Sequence, residues 1–221
     1  MSGPLRLPLA LSAALLVGCA GAVDQGSGRG TGPAPLDARA GAELAARDEL
    51  PLTPTTGPEQ TQRAREIYLS GVRLLASSPP QVDAAIHEFQ QALSIDPRFY
   101  RAHFKLGICY YQKGHYDLEI NEYRKCLAIN PAYVPASLNL GHAHLAKDEL
   151  ELARRAYQEV LDREPKHATA LYNCALVEFD LGHDAESLRL FEKFVLVDGS
   201  GEMGERAREY IEVLRVRLRG Q

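Results

Sequence analysis

Apolar positions return along this chain in two nested rhythms. The short one is helical, with inward-facing pairs three apart such as Tyr123 with Cys126, Tyr157 with Val160 and Phe191 with Phe194, and it predicts amphipathic helices. The long one has a period of 34 residues: Phe89, Tyr123, Tyr157 and Phe191 keep that step, as do Pro97, Pro131 and Pro165. Gly107, Gly141 and Ala175 keep it too, and so do Leu106, Leu140 and Cys174. A helical hairpin of this size cannot bury its apolar face alone, so neighbours must stack and share a core.

Each period reads as two helices, a short turn between them and a proline before the next pair. In the clearest one, helix A is expected over Tyr100–Gln112 and helix B over Tyr116–Ile129. Gly107 marks the point where the two approach most closely, and Gly114 ends helix A. Asp96-Pro97 and Asn130-Pro131 break the chain into the following pair. The repeats are drawn at 61–99, 100–133, 134–167 and 168–201, followed by a capping helix within 202–221. That last helix is expected from Glu205 to Arg219, with Ala207, Ile211, Leu214 and Leu218 on one stripe. The first repeat carries an enlarged Ser77-Ser78-Pro79-Pro80 turn, and the fourth is worn, as terminal repeats are.

These positions resemble the tetratricopeptide-repeat (TPR) family. The resemblance implies an all-α, right-handed superhelical solenoid of about four TPR hairpins plus the capping helix. It also implies a concave groove lined by helix A residues that holds a partner segment. Carried over by position, the groove residues are Tyr68 and Val72, then Phe104, Lys105, Ile108 and Tyr111, then Leu138, Asn139, His142 and Leu145, and finally Tyr172, Asn173, Leu176 and Phe179. Asn139 and Asn173 hold places where family members use an amide to bond a peptide backbone, since an amide donates and accepts at once. The lysine-rich clamp of members that bind chaperone tails is not reproduced. The set is strongly apolar, which suits either a sticky face or a packed core.

The N-terminus is a different material. Arg6 followed by the apolar stretch from Leu7 to Val17 is too short to span a bilayer, which takes ~20 residues, and reads as an export signal over 1–18. Leu16-Val17-Gly18-Cys19 resembles a bacterial lipobox. That resemblance implies cleavage before Cys19 and a covalent diacylglycerol and acyl anchor on its sulfur and amine; an ordinary secretory signal is the alternative. Ala20, by likeness to enterobacterial lipoproteins, favours the outer membrane, facing the periplasm. Residues 19–60 are rich in Gly, Ala, Pro and Thr and read as a disordered tether.

Composition removes several function classes. The 221 residues carry a formal charge of -4, so broad attraction to nucleic acid is not indicated. No nucleophile–base pair, phosphate loop or metal-ligand spacing stands out, so no enzyme, metal, other cofactor or small-molecule substrate is expected. Of Cys109, Cys126 and Cys174, Cys126 and Cys174 stand where small or apolar inward residues belong and read as buried thiols; a Cys109–Cys126 disulfide is the alternative, though the odd count argues against a disulfide framework. Glu119, Glu122 and Glu159 read as solvated, Glu119 replacing a usual alanine. Arg208, Arg215 and Arg219 line one side of the last helix, to meet an acidic partner or lipid phosphate or to complement the helix end. The leading expectation is a membrane-anchored periplasmic adaptor that binds another protein of the cell envelope. The alternative is an assembly factor resembling the lipid-anchored pilotins of type IV pilus secretins.

Overall fold

The computed structural model describes residues 57–220. The expected signal, the lipobox with Cys19, and the tether as far as residue 56 lie outside the described residues. Those described form helices only: α1 (Pro58–Leu75), α2 (Val82–Ile95), α3 (Tyr100–Gln112), α4 (Tyr116–Ile129), α5 (Val134–Ala146), α6 (Leu150–Arg163), α7 (Ala168–Asp180), α8 (Asp184–Asp198) and α9 (Gly201–Arg219). The all-α class of paired helices and a terminal helix therefore stands. Helix α1 begins three residues before the drawn repeat, because Pro58 sits at the helix start, where its missing N–H is no loss. Helices α3 and α4 have the bounds read from the sequence, and α9 starts four residues before the expected Glu205.

The chain divides into two compact units, which among the described residues are 57–143 and 144–220. In the first, α1 packs on α2, α2 on α3, and α3 on α4. Phe89 and Tyr123, the aromatic residues of the 34-residue step, are both fully buried there. Each meets a glycine of the preceding helix. A Cβ added to Gly71 would lie 2.7 Å from Phe89 Cε1, and one added to Gly107 would lie 2.3 Å from Tyr123 Cε1. The missing side chain is what lets the two helices of each hairpin cross so closely.

In the second unit α6 packs on α7, α7 on α8, and α8 on α9. Tyr157, Val160, Phe191 and Phe194 are inward, as their spacing predicts. The α9 stripe is likewise turned in, with Ala207, Ile211 and Leu214 buried and Leu218 half-buried. Tyr210 of α9 stacks on Phe191, with ring centroids 5.0 Å apart and planes 8° from parallel. Ala175 replaces the glycine of the earlier hairpins, and its carbonyl accepts the buried Ser187 hydroxyl at 2.8 Å.

The turns repeat as closely as the helices. After α3, His115 N–H bonds Tyr110 O and Gly114 N–H bonds Tyr111 O, both at 2.9 Å, with Gly114 at φ 72°. After α7, the same pair of bonds runs from His183 to Glu178 and from Gly182 to Phe179, with Gly182 at φ 79°. This is the Schellman arrangement, whose left-handed residue is best a glycine. After α5 the bonds recur from Glu149 to His144 and from Asp148 to Leu145, but the left-handed residue is Asp148, at φ 60°.

The left-handed conformation costs an L-residue about 1–2 kcal/mol. Glycine brings extra entropy to the unfolded chain, which offsets part of that gain. Asp148→Gly is therefore expected to stabilise the protein by about 0.5–1 kcal/mol, read as a higher urea midpoint at unchanged slope.

Candidate protein-binding surface

The expected groove residues fall into two groups by burial. Tyr68, Phe104, Lys105, Ile108, Leu138, Asn139, His142, Tyr172, Asn173 and Leu176 are buried, whereas Val72, Tyr111, Leu145 and Phe179 are half-buried. The reason lies in aromatic packing. In the first unit, Tyr68 sits between Phe89 and Phe99, with centroids at 5.6 and 4.8 Å. Phe104 lies 5.8 Å from Tyr123 and 5.2 Å edge-on from Tyr133. Lys105 lays its ammonium 5.6 Å from the Phe104 ring centroid, in the manner of a snorkelling side chain. These large residues hold helices together, so their apolar character speaks first for the core.

Tyr100, the first residue of α3, and Tyr133, in the turn before α5, are not among the expected groove residues. Both are half-buried and packed against the cluster of Phe104, Ile108, Tyr123, Cys126 and Ala136. Their rings meet edge-on at 5.1 Å, and the Arg101 guanidinium lies 5.3 Å from the Tyr100 centroid. The signal was present, since Tyr100 and Tyr133 bracket one repeat. With Tyr110, Tyr111 and Tyr116 they are the half-buried tyrosines of this unit, which combine apolar area with partial exposure and a polar tip, the character common in protein interfaces.

In the second unit the terminal helix takes up much of the expected face. Phe179 is covered by Tyr210, centroids 5.0 Å apart, and by Arg217, whose guanidinium is 4.4 Å from the ring centroid. Arg217 also donates to Asp184 at 3.2 Å. Tyr172 packs edge-on against Phe191 and Phe194 at 5.7 and 5.1 Å. Phe179 thus belongs to the seal under α9. Two of the three arginines read as a basic side are tied up locally: Arg208 donates to Gly199 O, and Arg215 to Glu192 and Glu212.

Buried polar groups correct two other expectations. Glu119 and Glu122 are buried, 2 % and 7 % exposed, and only Glu159 of the three acids is solvated. Glu122 accepts from His103 Nδ1 and Lys125 Nζ, each at 2.6 Å. Burial opposes its charge, yet the hydrogen bonds from His103 and Lys125 hold its carboxyl below the ordinary value. Asn139 is also engaged inside the protein, its amide donating to Tyr123 OH at 3.3 Å. A second type of pair recurs with its members exchanged. His144 Nδ1 meets Glu149 at 2.5 Å, and one repeat later Glu178 meets His183 Nδ1 at 2.6 Å.

Residues 81–114 match a TPR repeat model, 100–133 a tetratricopeptide repeat model, and 138–201 another tetratricopeptide repeat model. The chain carries tetratricopeptide repeats. Solved structures agree on the fold. A MamA protein is similar at TM-score 0.61 and 23% identity over 72% of this chain and 82% of its own. A tetratricopeptide repeat protein from Parabacteroides merdae gives TM-score 0.64 and 18% identity over 71% of this chain and 61% of its own. The first TPR of Spaghetti (RPAP3), bound to the HSP90 peptide SRMEEVD, gives TM-score 0.52 and 21% identity over 55% of this chain and 95% of its own. No curated protein matches the sequence.

The repeats leave their cysteines sealed. Cys109, Cys126 and Cys174 are unpaired and buried, so the Cys109–Cys126 disulfide is not formed, and burial pushes each thiol up to about 12. Only the thiolate reacts. At pH 8 the folded protein is therefore expected to alkylate with iodoacetamide roughly a thousandfold more slowly than the urea-unfolded chain. Rapid modification of any of these three in the folded protein would contradict their burial.

Proposed function

We propose that this protein is a non-catalytic adaptor that captures a segment of another protein on the α3–α4 hairpin and its neighbours, held at the cell envelope by a lipid on Cys19. The repeats are a protein-interaction fold. The observation that carries the reading is the half-buried tyrosine set of the first unit, Tyr100, Tyr110, Tyr111, Tyr116 and Tyr133. Tyrosines of this kind supply large contact area at small entropic loss. The RPAP3 repeat bound to an HSP90 peptide supports peptide capture by this architecture. Its ligand is not transferred, because the lysine clamp expected for such tails is missing from the corresponding positions of this sequence.

The envelope location rests on sequence: Leu16-Val17-Gly18-Cys19 and the long Gly- and Pro-rich stretch after it. A lipid anchor at one end and repeats at the other suit a body that waits at a membrane, proposed to be the outer membrane on its periplasmic side, for an envelope protein. Pilotin-like delivery of a secretin subunit is the narrower version of the same role, and it too rests on the anchor joined to repeats.

The test must avoid the core. Polar substitution of Phe104 or Ile108, each 2 % exposed, removes buried packing worth about 2–5 kcal/mol, and lost capture would then report unfolding. Tyr111→Ser with Tyr133→Ser is the cleaner pair. Expected is loss of an in-cell crosslinked partner band, at least tenfold, with the helical circular dichroism kept. Capture at wild-type strength by the folded double variant would overturn the contact assignment. In the same cells, Cys19→Ser is expected to abolish fatty-acid labelling and release the protein from the membrane fraction; persistent labelling would refute the anchor.

A further inference from the structure

Four residues occupy one repeat position on the second helices of the hairpins: Ala85, Glu119, Ala153 and Ser187, exposed by 0, 2, 0 and 0 %. Three are small. Ser187 satisfies its hydroxyl on Ala175 O. Glu119 places a full carboxyl between α3 and α4, where an uncompensated charge is costly.

The hydrogen bonds around it run one way. The Asn139 amide donates to Tyr123 OH at 3.3 Å, and the Tyr123 hydroxyl in turn bonds Glu119. Glu119 Oε2 is fully buried and has no hydrogen-bond partner. The tyrosine serves one oxygen and no donor reaches the other, so a negative charge on the carboxyl is poorly stabilised and the neutral acid is favoured. Burial raises the group from 4.5 to about 8, against the pull of the Tyr123 bond. The titratable groups that interact with it are Tyr111 on α3 and Tyr123 on α4; around these stand Tyr116 beside Tyr111, Cys109 beside Tyr123, and the Asn139 amide from α5. Burial and then the Glu119 charge both raise Tyr111 above its ordinary value.

We propose that Glu119 is a proton-operated latch: protonated, its neutral carboxyl is accommodated inside the closed α3–α4 hairpin beside the Asn139–Tyr123 chain; ionised, its buried and half-partnered charge works the hairpin loose and with it the surface around Tyr111. The effect on partner capture rests on the contact role proposed above, whereas the effect on hairpin stability does not. The sign follows from the raised value. The folded state holds this proton more tightly than the unfolded chain, so the stabilisation is complete below about 4.5 and drains away as pH rises through about 8.

The experiment compares the full-length protein with Glu119→Gln and with Glu119→Ala, the residue at Ala85 and Ala153. Urea unfolding is followed from pH 5 to 9.5, together with the carbon-13 carboxyl resonance of wild-type Glu119. Expected is a resonance that titrates near pH 8. Expected also is a wild-type unfolding constant that rises relative to both variants by at least tenfold between pH 5 and 9. A resonance that titrates near 4.5, or variants that track the wild type in parallel at every pH, would overturn the latch. Should both variants fail to fold, the wild-type resonance decides alone. Crosslinked capture is measured at pH 6 and 9 alongside. Capture that holds constant while the stability profile tilts as expected supports the latch and counts against the contact role of Tyr111.

Discussion

The closest approach of two helices in each hairpin of the first unit is a glycine pressed against an aromatic ring. Gly107 meets Tyr123, and Gly71 meets Phe89, at distances that leave no room for a Cβ. Everything else in these hairpins is arranged around that crossing. It brings Phe104 and Ile108 into one cluster with Tyr123, Cys126 and Ala136. It also places the Tyr123 hydroxyl between the α5 amide of Asn139 and the buried acid of α4. The crossing is a packing device: interiors are close-packed, and a change of one carbon is felt.

The turns are the second constraint, and they are independent of the core. A left-handed residue after α3, α5 and α7 closes the same two bonds each time. The neighbouring side chains vary freely around that geometry. Tyr110 and His115 in one repeat become His144 and Glu149, then Glu178 and His183, with the acid and the imidazole exchanged between the last two. Between those last two repeats complementarity is kept while identity is not, as expected where only the pairing matters.

Much of this architecture was legible from periodicity. The inward aromatic residues, the proline breaks, Gly114 as a helix end and the bounds of α3 and α4 follow from spacing, because backbone geometry ties spacing to face. Burial of polar groups was not legible in the same way. Glu119 and Glu122 have the residue type of a solvated face, and only the packing of α3 against α4 shows that they lie inside. Equally, nothing in the pattern of α7 shows that α9 covers Phe179, since that depends on Tyr210 and Arg217 reaching back. Positions carried over by family resemblance identify the helix face. They do not say whether a large side chain there meets a partner or its own core, and here the half-buried Tyr100 and Tyr133 extend the face beyond them.

The fit of Gly107 against the Tyr123 ring is steric, and a double-mutant cycle isolates it. Gly107→Ala alone is expected to destabilise the protein by about 1–3 kcal/mol, because the new methyl group overlaps the Tyr123 ring. Combined with Tyr123→Val, which leaves nothing of the ring, the same glycine change should cost little. The urea-unfolding coupling energy is then at least about 1 kcal/mol. Additivity within about 0.5 kcal/mol would contradict a steric crossing, since Gly107 and Tyr123 would then contribute to stability independently of each other.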